Sequence, residues 1–168
     1  MMKKSMKVAW MFLVTLTIVF VITFVVFPGV TLQPRASLGF LTDLIDDPTV
    51  RGAWNALFYI FLFNILDTVG RWLGGQPFAF ASDNVVIILT WVRLIFIATF
   101  IMIGFGADPS WLFGADSDWF KIVNMMLFAA SNGYCSTQCA IKAPSRAPDD
   151  SKEQVGNLIG VFLTLGIM

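Results

Sequence analysis

The chain has 168 residues, of which 57% are hydrophobic and 13% are charged, and its mean hydropathy is +0.77. Soluble domains typically contain about 25% charged residues, so this composition excludes an ordinary soluble domain and predicts an all-α membrane protein. The formal net charge is zero, with 11 basic and 11 acidic residues, and we expect no nucleic-acid partner because no basic stripe is visible.

The first apolar segment predicts a membrane-spanning helix over about 8–28. A spanning helix needs about 20 mainly apolar residues, and "VAWMFLVTLTIVFVITFVVF" supplies them after three lysines. A basic start followed by an apolar run also resembles a secretory signal. The run is too long for such a signal, and Pro28 and Gly29 follow it instead of a small-residue cleavage site. We therefore favour a retained helix.

Four further apolar segments follow, at about 53–72, 85–105, 119–140 and 155–168. The first three are long enough to cross a bilayer, whereas the last has 14 residues and is too short. The sequence therefore predicts a single transmembrane domain over 1–168, with four complete transmembrane helices and a truncated fifth. We expect a truncated polypeptide or an incomplete gene product.

The charges between the segments predict an orientation. Lys and Arg near helix ends favour the cytoplasmic side, and the connections 32–52 and 106–118 contain only two of them. We therefore place these two connections outside and the N-terminus inside, which makes a multi-pass protein. Lys121, near the outer end of the fourth helix, is expected to extend to the headgroups. Seven basic residues then lie inside: Lys3, Lys4, Lys7, Arg71, Lys142, Arg146 and Lys152.

Three polar residues of the second segment fall on one helical stripe. Asn64, Asp67 and Arg71 are separated by three and four positions, and Asp before Arg at i,i+4 suits an ion pair. One interpretation is a structural pair near the cytoplasmic interface. The other is a polar stripe that faces a water-filled path and binds a polar solute. We favour the second, because Asn64 extends the stripe toward the bilayer centre.

Arg93 lies eight residues into the third segment, about 12 Å deep at about 1.5 Å per residue. A charge at that depth is expected to face the protein interior and meet an acid, a carbonyl or a solute. Asp67 lies at comparable depth. The sequence leaves open whether Arg71 or Arg93 is the main partner of Asp67.

The fourth segment contains clustered polar and small residues. Asn132 and Gln138 are candidates for hydrogen bonds between helices or for solute contacts. Ala129 and Gly133 are four positions apart, a spacing that lets two helices approach closely. Gly156 and Gly160 repeat that spacing in the last segment, where packing is again the simplest interpretation.

The chain contains no histidine and two cysteines, Cys135 and Cys139. Their four-residue spacing places both on one helical face, which suits packing rather than a complete zinc site. A histidine-based catalytic site within the chain is excluded. We predict no enzymatic activity and no cofactor.

Five motifs in order resemble the equilibrative nucleoside transporter family. They are similar to features of its C-terminal half, helices seven to eleven, and together extend over nearly the whole chain. The motifs are "FPGVT" at 27–31, "FNILDTVGR" at 63–71, "VRLIF" at 92–96, "SNGY" at 131–134 and "VGNLIGVFLTLG" at 155–166.

The resemblance implies a partial major-facilitator-like helical bundle that carries nucleosides or nucleobases by alternating access. The implied partners are the substrate, the lipid bilayer and six missing N-terminal helices, and the plasma membrane is favoured over an internal membrane. An alternative is a non-transporting fragment or helix-packing partner subunit. The candidate substrate-binding residues are Asp67, Arg71, Asn64, Arg93 and Asn132.

Overall fold

The structure, a computed structural model, describes residues 2–29, 31, 33, 36–105 and 117–168. These residues are mainly helical and contain no strand, which confirms the all-α prediction for the part described. Short 3₁₀ segments occur at Pro77–Ala79 and Asp149–Ser151. The α-helices are α1 Met2–Val26, α2 Gly39–Leu44, α3 Pro48–Gly74, α4 Asp83–Val92, α5 Leu94–Phe105, α6 Asp118–Ser145 and α7 Lys152–Ile167.

Three helical segments of the described chain are long and apolar enough to cross a membrane. They are Met6–Val26, Pro48–Gly74 and Asp83–Phe105, the last of which joins α4 and α5. Helix α6 has 28 residues but carries many polar side chains and does not reach the same hydropathy. The number of complete spans therefore stays a prediction.

Several helices extend beyond the predicted bounds. Helix α3 begins at Pro48 rather than near 53, because the Asp47 carboxylate accepts hydrogen bonds from the backbone nitrogens of Thr49 and Val50 at 2.8 and 3.3 Å. These bonds cap the helix and hold the pKa of Asp47 below its ordinary value. Proline at the first helical position favours the same start. Helix α6 continues to Ser145, five residues past the expected end.

Helix α6 is the central element of the bundle. It contacts α1, α3, α4, α5 and α7, and α1 also packs along α7. The buried apolar side chains form two clusters. One surrounds Phe12, Leu16 and Cys139, and the other surrounds Ile22, Phe100 and Phe128. Both cysteines are free and buried, which agrees with their interpretation as packing residues.

Glycines allow α3 and α6 to touch through their backbones. A Cβ atom at Gly133 would overlap the carbonyl oxygen of Asp67, and one at Gly70 would overlap that of Ala130. The close approach expected at Gly133 is thus found, and Gly70 is its counterpart on α3. Gly156 and Gly160 have open space where a Cβ would lie, so their spacing brings no described helix close.

Most of α3 is exposed. Its buried residues are Asn55, Tyr59, Gly70 and Gly74. The remaining surface carries large apolar side chains, including Trp54, Leu57, Phe61, Ile65, Val69 and Trp72. In a membrane such a surface faces lipid or further helices, because no water is present there to disfavour it.

Residues 36–40, before and at the start of α2, are bound to α6 and α3. The Asp118 carboxylate accepts from the nitrogens of Gly39 and Phe40 at 2.7 and 3.0 Å. Lys121 Nζ donates to the carbonyl of Ser37 at 2.9 Å. Lys121 is buried, so the expectation that it extends to the headgroups is wrong, because this carbonyl lies within its reach.

Candidate functional site

Asp67 and Arg71 form an ion pair on α3. Arg71 Nε lies 2.7 Å from Asp67 Oδ2, one helical turn away. The side chain of Arg71 is 45% exposed and that of Asp67 is 13% exposed. The structure thus gives Arg71 as the direct partner of the carboxylate, the first of the two possibilities left open by the sequence.

Asn132 binds the other oxygen of the same carboxylate. Its Nδ2 atom donates to Asp67 Oδ1 at 2.7 Å, and Asn132 is buried. The bond is short because Gly133, the next residue of α6, lets the α3 backbone approach. Asp67 is therefore fixed from two directions, by its own helix and by α6.

Arg93 is fully buried at the break between α4 and α5. Its Nη1 donates to the carbonyl of Phe128 at 2.9 Å and to Ser131 Oγ. Its Nη2 donates to Thr23 Oγ1 at 2.9 Å. The guanidinium carbon also lies 5.1 Å from the centre of the Phe128 ring, a favourable position for a cation.

Arg93 reaches Asp67 only through Asn132. Its Nη2 atom donates to Asn132 Oδ1 at 3.2 Å, and the amide of Asn132 in turn donates to Asp67. The expectation that Arg93 faces the interior therefore agrees with the structure. The partners found for it in the described residues are neutral oxygens, since the carboxylate is one residue farther away.

Thr23 of α1 completes what we call the polar network: Arg71, Asp67, Asn132, Arg93 and Thr23. Thr23 Oγ1 lies 2.7 Å from Asn132 Oδ1 and 2.8 Å from the carbonyl of Val19, and its one proton serves one of them at a time. Thr23 was not predicted from the sequence. A threonine in an apolar helix usually bonds its own backbone, so no signal distinguished it from Thr15 or Thr17.

Asn64 lies outside the polar network. Its Nδ2 donates to the carbonyl of Ile60 at 2.7 Å, within its own helix, and the side chain is exposed. It borders an open groove on α3 together with Phe61, Ile65, Thr68 and Val69. Asn64 therefore adds polarity to the exposed face of α3 without helping to hold Asp67.

The side chains of this arrangement interact through hydrogen bonds. In the part of the chain that the structure describes, no three metal-ligating side chains form a cluster. Arg71 uses Nε for Asp67, and its two terminal nitrogens have no partner among the described residues. The half-exposed guanidinium of Arg71 can donate hydrogen bonds to a solute, and the Asp67 carboxylate beside it can accept them.

Comparisons with known proteins confirm the family resemblance. The model of the nucleoside transporter family matches residues 1–168. Human equilibrative nucleoside transporter 2 is 28% identical over 94% of the chain, and rat equilibrative nucleoside transporter 1 is 28% identical over 98%. Adenosine transporter 1 of Crithidia fasciculata is 26% identical over 95%.

The chain spans only part of these relatives. The matched regions cover 33%, 35% and 29% of the three proteins, respectively. No solved structure is significantly similar to the chain. The family is one of membrane transporters, not of enzymes.

Proposed function

We propose, because the chain belongs to the nucleoside transporter family, that it forms part of a facilitative carrier for nucleosides or nucleobases. The carrier works by alternating access, in which two helical halves rock around a site between them. Its fold is major-facilitator-like, and it is a multi-pass protein of the plasma membrane.

One observation carries this proposal: a carboxylate and an arginine form an ion pair at the edge of the exposed face of α3. Asp67 and Arg71 lie 2.7 Å apart, and Arg71 is half-exposed. Ionised groups in a transmembrane helix are costly and typically serve a solute or ion path. The same two residues lie in the "FNILDTVGR" motif.

Each residue has a distinct role in this proposal. Asp67 accepts hydrogen bonds from sugar hydroxyls or base amines, and Arg71 donates to the oxygens and ring nitrogens of the solute. Asn64 lines the path on the same face. Asn132 and Arg93 are buried and act on the solute mainly by holding Asp67 in position, although the sequence predicted them as direct contacts.

The remaining helices of the carrier provide the other side of the path. The exposed apolar surface of α3 around Phe61 and Trp72 is suited to pack against them. The chain matches about a third of each relative, and the other part of such a protein supplies these helices. Lipid surrounds the assembled bundle.

A helix-packing partner subunit without transport activity is the second candidate. The large exposed apolar side chains of α3 favour it, because such a surface binds another helix whether or not a solute passes. Uptake measurements separate the two functions directly.

The test is a hybrid carrier in which residues 1–168 replace the matching region of human equilibrative nucleoside transporter 2. The hybrid is expressed in cells without their own nucleoside carrier, and uptake of radiolabelled adenosine and uridine is measured. We expect saturable uptake. Surface-expressed hybrid that gives no uptake above background would reject the carrier and favour the partner subunit.

Asp67→Asn in this hybrid tests the role of the carboxylate. The amide keeps the size of the side chain but loses the charge that faces Arg71 and one acceptor oxygen. We expect uptake to fall at least about tenfold, equivalent to about 1.4 kcal/mol, with unchanged surface abundance. Asp150→Asn makes the same chemical change at an exposed residue of the connection before α7; it is the matched control and keeps full uptake. Normal uptake by Asp67→Asn contradicts the assigned role.

A further inference from the structure

In the part of α6 that follows Asn132, side chains at four-residue intervals point toward the connection between α3 and α4. The hydroxyl of Tyr134 donates to the carbonyl of Ala79 at 2.7 Å. Gln138 Nε2 donates to the carbonyl of Gly74 at 2.6 Å. We call the whole set the α6 row: Tyr134, Gln138, Lys142 and Arg146.

The last two members of the α6 row bind the beginning of α4. Lys142 Nζ lies 3.0 Å from Asp83 Oδ1, and Arg146 Nε lies 3.0 Å from Asp83 Oδ2. Lys142 is buried, and its Nζ lies 4.2 Å from the centre of the Phe80 ring. The Asp83 carboxylate is thus bound at once by Lys142 of α6 and by Arg146, the residue that follows this helix, and is held more firmly than in a single surface ion pair.

These contacts satisfy the ends of two helices. Gly74 is the last residue of α3, where backbone carbonyls have no partner within the helix, and Gln138 supplies one. Asp83 is the first residue of α4, where a negative charge interacts favourably with the helix dipole. Gly74 also touches α6 directly, since a Cβ there would lie 3.0 Å from the Tyr134 carbonyl oxygen.

The α6 row lies close to the polar network along the same two helices. Gly74 follows Asp67 by seven residues, about 10 Å along the helix axis. The contact between Gly70 and α6 lies between them. Helices α3 and α6 are therefore joined at three successive levels: Asp67 with Asn132, Gly70 with Ala130, and Gly74 with Gln138.

We propose that the α6 row joins α3, the start of α4 and α6 into one rigid unit and positions Asp67 against Asn132 throughout transport. Opening toward the inner side then takes place along the exposed face of α3, not between α3 and α6. The rigid unit rests on the contacts above, and its part in transport rests on the proposed function. Gln138 and Lys142 are positioning residues.

Spin labels test the rigid unit without any transport assay. The 168-residue chain with Trp72→Cys and Ile141→Cys, both exposed, is labelled in lipid nanodiscs, with the buried Cys135 and Cys139 replaced by Ala. Electron paramagnetic resonance is expected to give one narrow distance distribution. Two populations separated by about 5 Å or more, the scale of a one-turn helix shift, would overturn the rigid unit.

Removing the α6 row should loosen the unit. Gln138→Leu combined with Lys142→Met is expected to broaden the distance distribution while circular dichroism keeps the helical content. Gln154→Leu makes the same chemical change at an exposed glutamine of α7 and should leave the distribution narrow. An unchanged distribution in the double variant overturns the role of the α6 row.

A covalent link tests the unit during transport. Asp83→Cys and Arg146→Cys in the hybrid carrier are joined by a bifunctional methanethiosulfonate reagent, and each single variant receives the same reagent as a control. We expect the linked carrier to keep at least about half of its uptake, because the joined helices need not separate. A larger loss that is restored by reduction overturns the proposal. Absence of uptake by the unsubstituted hybrid counts against the proposed function, and the spin-label result still decides the rigid unit.

Discussion

The two arginines of the polar network lie in opposite surroundings. Arg93 is fully buried and donates to neutral oxygens on α1 and α6, whereas Arg71 is 45% exposed and pairs with a carboxylate. Arg93 directs both terminal nitrogens into the protein. Those of Arg71 have no partner in the described part of the chain. Arg93 therefore holds helices together, whereas Arg71 keeps donors with which it can bind a solute. Substitutions at these residues and at their neighbours test this difference.

The largest effect is expected for Arg93→Lys. Lysine keeps the charge but lacks the planar fork, so several buried oxygens around it, including Asn132 Oδ1, lose a donor. Unsatisfied buried groups cost about 1–3 kcal/mol each, and we expect a loss of about 3 kcal/mol in stability. Thermal unfolding in detergent measures it. A midpoint within about 2 °C of the parent, equivalent to about 1 kcal/mol or less, would show that Arg93 does not hold the helices together.

The second effect concerns the contact that brings Asn132 to Asp67. Gly133→Ala places a methyl group against the α3 backbone, and overpacking of this kind costs about 1–3 kcal/mol. Gly160→Ala, with open space around it, is the matched control: it makes the same gain in helix propensity, at most about 1 kcal/mol, without the steric overlap. Equal stabilities of the two variants would show that the close approach of α3 and α6 is not needed.

Arg71→Gln should separate binding from folding. The ion pair is partly exposed, so its loss should reduce stability by less than about 1 kcal/mol. Uptake by the hybrid carrier should fall about tenfold, or about 1.4 kcal/mol, because the donor fork is lost. A large loss of stability with normal uptake per folded molecule would show that Arg71 holds helices together, as Arg93 does.

The smallest effect is expected for Asn64→Ala. Among the described residues, Asn64 bonds only to its own helix, and it is exposed, so stability should change by less than about 0.5 kcal/mol. A lining role predicts a roughly twofold fall in uptake, because one polar contact beside the path is weakened. Unchanged uptake would remove Asn64 from the path and leave the site to Asp67 and Arg71.

Interactions within one helix could be predicted from the sequence. Asp67 and Arg71 meet because residues four apart share a helical face, and the pair is found at 2.7 Å. The inward direction of Arg93 followed from the cost of a charge in hydrocarbon. Both predictions needed only helical periodicity and depth.

Contacts between helices could not be predicted in the same way. The bond from Asn132 to Asp67 depends on the register of α6 against α3, which Gly70 and Gly133 set through backbone contact. The helix break at Arg93 also has no sequence signal such as proline or glycine. Lys121 was misjudged because its carbonyl partner, on Ser37, lies 84 positions away.

Helix α6 holds both connections that flank α3. At one end Asp118 and Lys121 bind residues 37–40, and at the other Lys142 and Arg146 bind Asp83. These ends are about 40 Å apart for 28 helical residues. A tilt of α6 about its middle must therefore move these two regions in opposite directions, so that a displacement at one end of the bundle is coupled to the other end.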